Sequence, residues 1–476
     1  MSQNKIVIRD AQVVSDGRME RKSVLIANGR ISQLIADGQP VPEADEVVEA
    51  QDLVLMPGAI DDHVHFRDPG LTHKATMRSE SAAAVAGGVT SVMDMPNTVP
   101  QTTTLEAWNA KMQQAQSDML TNYAFYLGAT NANSEELLRA DYERVCGIKV
   151  FMGSSTGGML VDNAQSLRKI FAEAPTLIAA HCEQEDIIKT NSQKAKERYG
   201  DRVPWNEHCA IRSAEACYAS SSMAVQMARE TGARLHIMHI TSARELSLLD
   251  AGPIRRITGE VCPTHLWFSR EDYDRLGPLV KCNPSVKTTE DREALRRALA
   301  EGLLTTVGTD HAPHTLVEKL GAEGKALYHN ALSKLGNGGI GIRLNTESIG
   351  TDYWHAPSGM PMIEFSVPVI LTLSDMGYWD VATVAQRMAE DVADLYGIED
   401  RGKIREGFWA DLTLVSHKPR RVESVRSLCG WSPLAGTELT WQVERTYVSG
   451  HLAYANNHVV GHDESANRGM AMRFMR

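Results

Sequence analysis

Eight times between residues 59 and 309 the chain passes from a short apolar, strand-like run into a longer stretch of helical period. The strand candidates are 59–65, 89–95, 123–128, 147–152, 177–181, 235–240, 259–263 and 305–309. Between them, stretches such as 105–117, 135–145, 214–230 and 290–301 carry apolar residues at the spacing of an amphipathic helix. Parallel strands need a crossover, and a helix after each strand supplies it. Eight such units close into a (β/α)8 TIM barrel. An open doubly wound sheet is the alternative, but no Gly-x-Gly-x-x-Gly turn follows the first strand. The barrel is the better account.

The two ends read differently. Residues 1–55 form short strand-like runs punctuated by Ser15-Asp16-Gly17 and Asn28-Gly29, and they lack a helical period. The same texture returns after residue 400, with turn signals at Ser449-Gly450 and Asn456-Asn457. The expectation is a small β-sandwich domain formed by both chain termini, from residues 1–55 and 401–476, flanking a catalytic barrel of residues 56–400. The stretch 465–476 shows no pattern and reads as a tail.

Bulk composition excludes several classes. The 476 residues are 43% hydrophobic, enough for a large core, and carry a net charge of −11 with no basic block. That charge argues against nucleic acid or an anionic membrane as partner. Seven cysteines, an odd number without a Cys-x-x-Cys pair, fit reduced thiols in the cytoplasm better than a disulfide framework. The start, MSQNKIVIRD, lacks the apolar core of a signal peptide, and no apolar run reaches membrane-spanning length. A soluble cytoplasmic protein is expected.

The chemistry-bearing residues fall on the strands. In GAIDDHVHFRDPG, His63 and His65 alternate, so a strand would point both imidazoles to one face. Arg67 follows at once, before a Pro69-Gly70 turn. Lys149 lies inside the fourth strand candidate, His181 ends the fifth, His239 ends the sixth and Asp310 follows the eighth. Any one of these histidines alone reads as an ordinary hydrogen-bonded group. Together they crowd the C-terminal rim, where barrel active sites are built. A lysine pointing into the barrel is costly as an ammonium. It needs either an ion pair, with Asp310 or Glu183, or conversion to a carbamate by carbon dioxide. In the second case four histidines, a carbamate and an aspartate would suit two Zn2+ ions bridged by Lys149.

These motifs resemble the amidohydrolase superfamily and, within it, the dihydroorotases. DDHVHFRDPG is similar to the family's first-strand motif, MDMPNTVP to its second, GIKVFMG to the carbamylated-lysine strand and GTDHAPH to the eighth. The resemblance implies that Arg67, Asn97 and His314 bind the carboxylate of the substrate. It also implies that Asn283 and the run around Pro357 and Gly359 touch the pyrimidine ring, and that Asp310 is the catalytic acid–base. A homodimer is suggested by the resemblance alone. The implied activity is reversible conversion of L-dihydroorotate and water to N-carbamoyl-L-aspartate, a step of pyrimidine (UMP) biosynthesis. Allantoinase, dihydropyrimidinase or hydantoinase activity is the alternative, and a non-catalytic scaffold homologue the alternative of another class. For Arg67 the plain structural reading is an ion pair with Asp68 or Glu80. Thr264 and the run CNPSVKT depart from the usual family pattern, and SSTGG at 154–158 reads as a loop over the substrate. The glycine-rich run 336–341 lacks the lysine of a phosphate loop. His236, His265 and His311 are expected beside the site rather than in it.

Overall fold

The computed structural model describes residues 5–153, 159–335, 341–461 and 469–476. The expected loop at 154–158 and most of the glycine run at 336–341 lie outside them. Eight parallel strands form the barrel: β1 (Ala59–Val64), β2 (Val89–Asp94), β3 (Asn122–Phe125, resuming as Leu127–Gly128), β4 (Ile148–Phe151), β5 (Ile178–His181), β6 (Leu235–Ile237), β7 (Ile257–Val261) and β8 (Thr306–Val307). β1 to β3 pair in one sheet and the rest in a second, with β3 contributing to both. A parallel bridge from Val64 to His311 closes the ring. The expected (β/α)8 architecture is therefore present.

Helices follow the strands where short polar side chains can cap them. Thr76, Thr104, Ser213 and Thr288 each accept a hydrogen bond from a backbone N–H in the first turn of helices Met77–Ala86, Leu105–Asp118, Ala214–Thr231 and Thr289–Ala300. The helix expected over 135–145 is shorter, Ser134–Arg139. Asp141 ends the possibility of continuing it, because its side chain accepts from Glu143 N at 3.1 Å and sets up a turn.

Both chain ends meet in one nine-stranded mixed sheet. Val54–Pro57 is the join: it runs parallel to Lys5–Ser15 on one side and antiparallel to Leu412–Ser416 on the other. Ile6, Ile8, Val24, Ile26, Leu412, Leu414 and Tyr447 bury the apolar face of this sheet. The turn signals hold, with Asp16, Gly17, Asn28 and Gly29 all at positive φ. Gly29 is required twice over: a Cβ there would also collide with the Ser449 carbonyl at the tip of the other terminal hairpin.

The last residues are not a free tail. From 469 onward the chain runs beside β3, with Tyr123 N donating to Met470 O at 3.0 Å and Met472 N to Tyr123 O at 2.9 Å. Met472 and Phe474 are buried against the barrel, and the Arg476 guanidinium donates to the carbonyls of Tyr142, Val145, Cys146 and Tyr396. The signal was the alternation of buried Met472 and Phe474 with exposed Ala471, Arg473 and Met475. Phe474→Ala should lower the free energy of unfolding by about 3 kcal/mol, read as a drop in the urea midpoint. An unchanged midpoint would mean that this segment contributes nothing to stability.

Candidate metal centre and anion site

The C-terminal ends of the strands converge on a polar cavity of about 60 Å³. His63, His65, Lys149, His181, His239 and Asp310 all line it, as do Arg67, Asn97, Asn283 and Gly359. Phe151, Ala312 and Ser358 complete the wall. The residues read from the sequence as candidate ligands are thus brought together from strands or strand ends nearly 250 positions apart.

Three of the four imidazoles are oriented by a partner behind them, while His239 Nδ1 is buried without one. His63 donates from Nδ1 to Glu260 Oε1 at 2.9 Å, and His65 donates from Nδ1 to Asn97 Oδ1 at 2.7 Å. Both bonds leave Nε2 as the lone-pair nitrogen facing Asp310, whose Oδ1 lies 3.5 Å from His63 and 3.1 Å from His65. The ligand atoms of His63, His65 and Asp310 lie within 4.8 Å of one another, a spacing suited to a shared metal ion. His181 is turned the other way: Nε2 donates to Glu183 Oε2 at 3.1 Å, so Nδ1 faces inward, 2.9 Å from His239 Nε2. Glu183 is itself held by Arg212. Burial pushes the His63 and His239 imidazoles well below their ordinary range, which keeps their lone pairs available.

Lys149 has neither of the ion pairs its burial would call for. Glu183 is held by Arg212 and His181, Asp310 Oδ1 faces the Nε2 atoms of His63 and His65, and among the described residues neither carboxylate pairs with Nζ. Lys149 Nζ is buried without a hydrogen-bond partner, 5.0 Å above the Phe151 ring. Desolvation pulls its ammonium down in pKa, against the opposing pull of Glu260 and Asp310.

Arg67 is also free of the ion pairs weighed for it. Asp68 accepts from Met77 N and Gln114, and Glu80 from His311 and Ser427. The guanidinium instead donates from Nε to Pro313 O at 3.2 Å and brings Nη2 to 3.2 Å from His314 Nε2. Asn283 Oδ1 is buried without a partner at the cavity wall. Neither His314 nor Pro357 is among the lining residues: His314 sits behind Arg67 and Ser358, and the Pro357 carbonyl accepts from Lys319 Nζ at 2.8 Å, with Ser358 facing the cavity in its place.

Three of these residues hold strained backbone. Arg67, His239 and Asp310 have φ of 64°, 38° and 48°, a region that side chains with a Cβ rarely adopt. Such strain is kept where the surroundings over-determine it, and here the backbone is pinned: His239 N donates to Glu260 Oε1 at 2.8 Å, and His311 O accepts from His65 N at 2.8 Å.

His236, His265 and His311 stay outside the cavity, as expected. His236 sits between Thr258 and Thr306 inside the barrel, His265 bonds Pro284 O, and His311 donates to Glu80. Thr264, the departure from the family pattern, bonds Met360 Sδ and does not line the cavity. Sequence reasoning missed Glu260. Its signal was a carboxylate on the same face of β7 as Thr258, in a strand whose every residue is buried.

A model of the amidohydrolase family matches residues 54–453, which spans the barrel and the strands joining it to the terminal sheet. The chain belongs to the amidohydrolase family. Among its amidohydrolase relatives, a dihydroorotase of Halobacterium salinarum is 32% identical over 427 residues, covering 87% of this chain and 92% of the relative. An allantoinase of Bacillus velezensis is 27% identical, covering 94% of this chain and 93% of the relative. The solved L-hydantoinase of Arthrobacter aurescens superposes with a TM-score of 0.84 at 25% identity, covering 96% of this chain and 97% of that one. The chain is a cyclic amidohydrolase whose site offers residues able to hold a metal. Among the described residues, no helix is long and apolar enough to cross a membrane.

Proposed function

We propose that this amidohydrolase is a dihydroorotase, interconverting L-dihydroorotate and N-carbamoyl-L-aspartate in pyrimidine biosynthesis. The observation that carries the choice is Arg67: a buried guanidinium at the mouth of the ligand cluster, with no carboxylate among the described residues paired to it. A buried cation of this kind calls for an anion, and dihydroorotate brings a ring carboxylate that allantoin and hydantoin lack.

The donor set fits a pair of Zn2+ ions. Four imidazoles and Asp310 are nitrogen and oxygen ligands of the preferred type. Lys149 Nζ, buried and unbonded, fits conversion to a carbamate. In that step the ammonium first gives up one proton, and the neutral amine then forms an N–C bond to carbon dioxide and releases a second, so that a carboxylate-like anion able to hold metal would replace the unpaired cation. When bound, the metal pair supplies a water ionised at neutral pH and polarisation of the ring carbonyl.

The chain's own residues do the rest. Asp310 takes the proton of the attacking water on its carboxylate and returns it to the departing amide nitrogen. Arg67, Asn97 and His314 hold the ring carboxylate, and a carboxylate can take only the amide N–H side of Asn97, whose Oδ1 accepts from His65. Asn283, with the backbone around Gly359, meets the ring. Fixing the substrate this way lowers the entropic part of the barrier.

Turnover of dihydroorotate, allantoin and dihydrouracil by purified enzyme tests the reading. Dihydroorotate should exceed the others in kcat/KM by at least about 100-fold, the worth of a buried charged clamp. Preference for allantoin or dihydrouracil would overturn it. No turnover after supply of zinc and bicarbonate would favour a scaffold.

A further inference from the structure

The carboxylate clamp has a neighbour that reaches across the mouth of the barrel. Lys74 sits in the loop after β1, seven residues beyond Arg67, and its side chain is 14% exposed. Nζ lies 2.9 Å from Glu318 Oε1 and 3.1 Å from His314 Nδ1. Glu318 is fixed in turn, because its Oε2 accepts from Thr315 N and Oγ1 at 2.8 and 3.1 Å and caps helix Leu316–Leu320. Lys74 therefore ties the loop that carries Arg67 to the loop that carries His314.

The contact has a consequence for His314. An ammonium has donors only, so the nitrogen it meets must present a lone pair. With the lone pair on Nδ1, the imidazole proton is on Nε2. Burial first, then the Arg67, Lys319 and Lys74 cations, hold this imidazole well below its ordinary range, so it is neutral and the two tautomers are distinct alternatives. Nε2 has two neighbours: Ser358 O at 3.1 Å, which accepts, and Arg67 Nη2 at 3.2 Å, which can only donate. The Nε2 proton is given to Ser358 O with Arg67 Nη2 beside it, so an anionic oxygen entering between the two nitrogens would draw that N–H away from Ser358 O and accept from both donors. The other tautomer would do the reverse. A lone pair on Nε2 would accept from Arg67, consume one of its donors and face the incoming anion with negative potential.

We propose that Lys74 is a specificity-determining positioning residue: by donating to His314 Nδ1 it keeps the proton on Nε2, and so provides a second N–H beside Arg67 for the carboxylate of an anionic cyclic amide. This rests on the assignment of Arg67 and His314 as the carboxylate clamp. Lys74 acts through His314 and touches no reacting atom.

The test compares wild type, Lys74→Met and Lys74→Arg in the full-length zinc-loaded enzyme. For Lys74→Met, KM for dihydroorotate should rise about tenfold while kcat stays within about twofold, the loss of one charge-assisted donor in binding. Inhibition by orotate should weaken by the same factor, and inhibition by uracil, the ring without the carboxylate, should not change. Lys74→Arg, also a donor-only cation, should recover most of the loss. Equal weakening toward orotate and uracil, or a fall in kcat matching the rise in KM, would assign Lys74 a merely structural role and overturn the proposal. So would a Lys74→Met enzyme indistinguishable from wild type. Failure of the wild type to prefer orotate over uracil would instead sink the clamp beneath it, an outcome visible before any variant is made.

Discussion

Lys149→Ala should reduce kcat/KM by roughly 10³-fold or more and lower bound zinc, which the proposed centre puts at two per chain, toward one or none. The reasoning starts from a cost. A lysine amine buried on β4 with no hydrogen-bond partner bears the desolvation cost of an ammonium, which the pull of Glu260 and Asp310 only partly offsets, and Glu183 is already held by Arg212 and His181. As a carbamate it gives two oxygens to the centre of the ligand cluster. Removing it removes the bridge, and metal-centred stabilisation of several kcal/mol corresponds to three or more powers of ten, at about 1.4 kcal/mol each. The fold should survive, because the substitution also removes an unpaired buried charge, and a circular dichroism melt checks that. A second arm uses the wild type: enzyme stripped of metal and given zinc in buffer freed of carbon dioxide should regain activity slowly, and bicarbonate should speed the recovery. A Lys149→Ala protein that keeps both metals and its rate would reject the bridging role. Recovery indifferent to bicarbonate would reject the carbamate.

What the sequence disclosed and what it hid divide along physical lines. Period carries far: strand–helix alternation gave the barrel, and the two-residue spacing of His63 and His65 put both rings in one cavity. Chemistry that contradicts its surroundings is also legible, as with a lysine in the middle of a barrel strand. What sequence spacing does not carry is the identity of partners drawn from remote elements. Glu260 bonds His63 from a strand 197 residues away, and Glu183 owes its role to Arg212, just past the short helix His208–Ile211 and 29 residues on. Neither pairing has a local signature. Lys74 belongs to the same class, since its contact with His314 spans 240 residues. The C-terminal segment failed for another reason. Its alternating burial was present, but the run is too short, and too rich in methionine and arginine, to stand out from a tail. Nothing in it announces that β3 offers a free edge for it to pair with. Pro357 marks the limit of resolution in reading a turn: the segment was found, yet which backbone group faces the cavity depends on Lys319, whose ammonium collects the Pro357 and Gly359 carbonyls at 2.8 and 3.0 Å.

Arg67→Met should raise KM for dihydroorotate by about 100-fold or more with zinc content unchanged. Methionine keeps much of the side chain's volume and apolar stem, so the change isolates the guanidinium. Two charge-assisted hydrogen bonds to a carboxylate, in a site shielded from water, are worth about 3 kcal/mol together, which is a little over 100-fold. The metal ligands should not notice, because among the described residues the Arg67 side chain bonds the Pro313 carbonyl and approaches His314, and its backbone at φ 64° is held by the loop, with Leu71 N donating to its carbonyl. The effect should be confined to substrates with a carboxylate. Turnover of dihydrouracil, which the proposal expects to be slow in the wild type, should be unchanged or rise, since an unpaired buried cation no longer faces a neutral ring. That inversion is the sharper measurement, for a general loss of structure would depress both substrates together. If KM for dihydroorotate stays where it was, the guanidinium is not the anion's partner. The choice of dihydroorotate over its uncharged analogues would then lose the residue on which it stands.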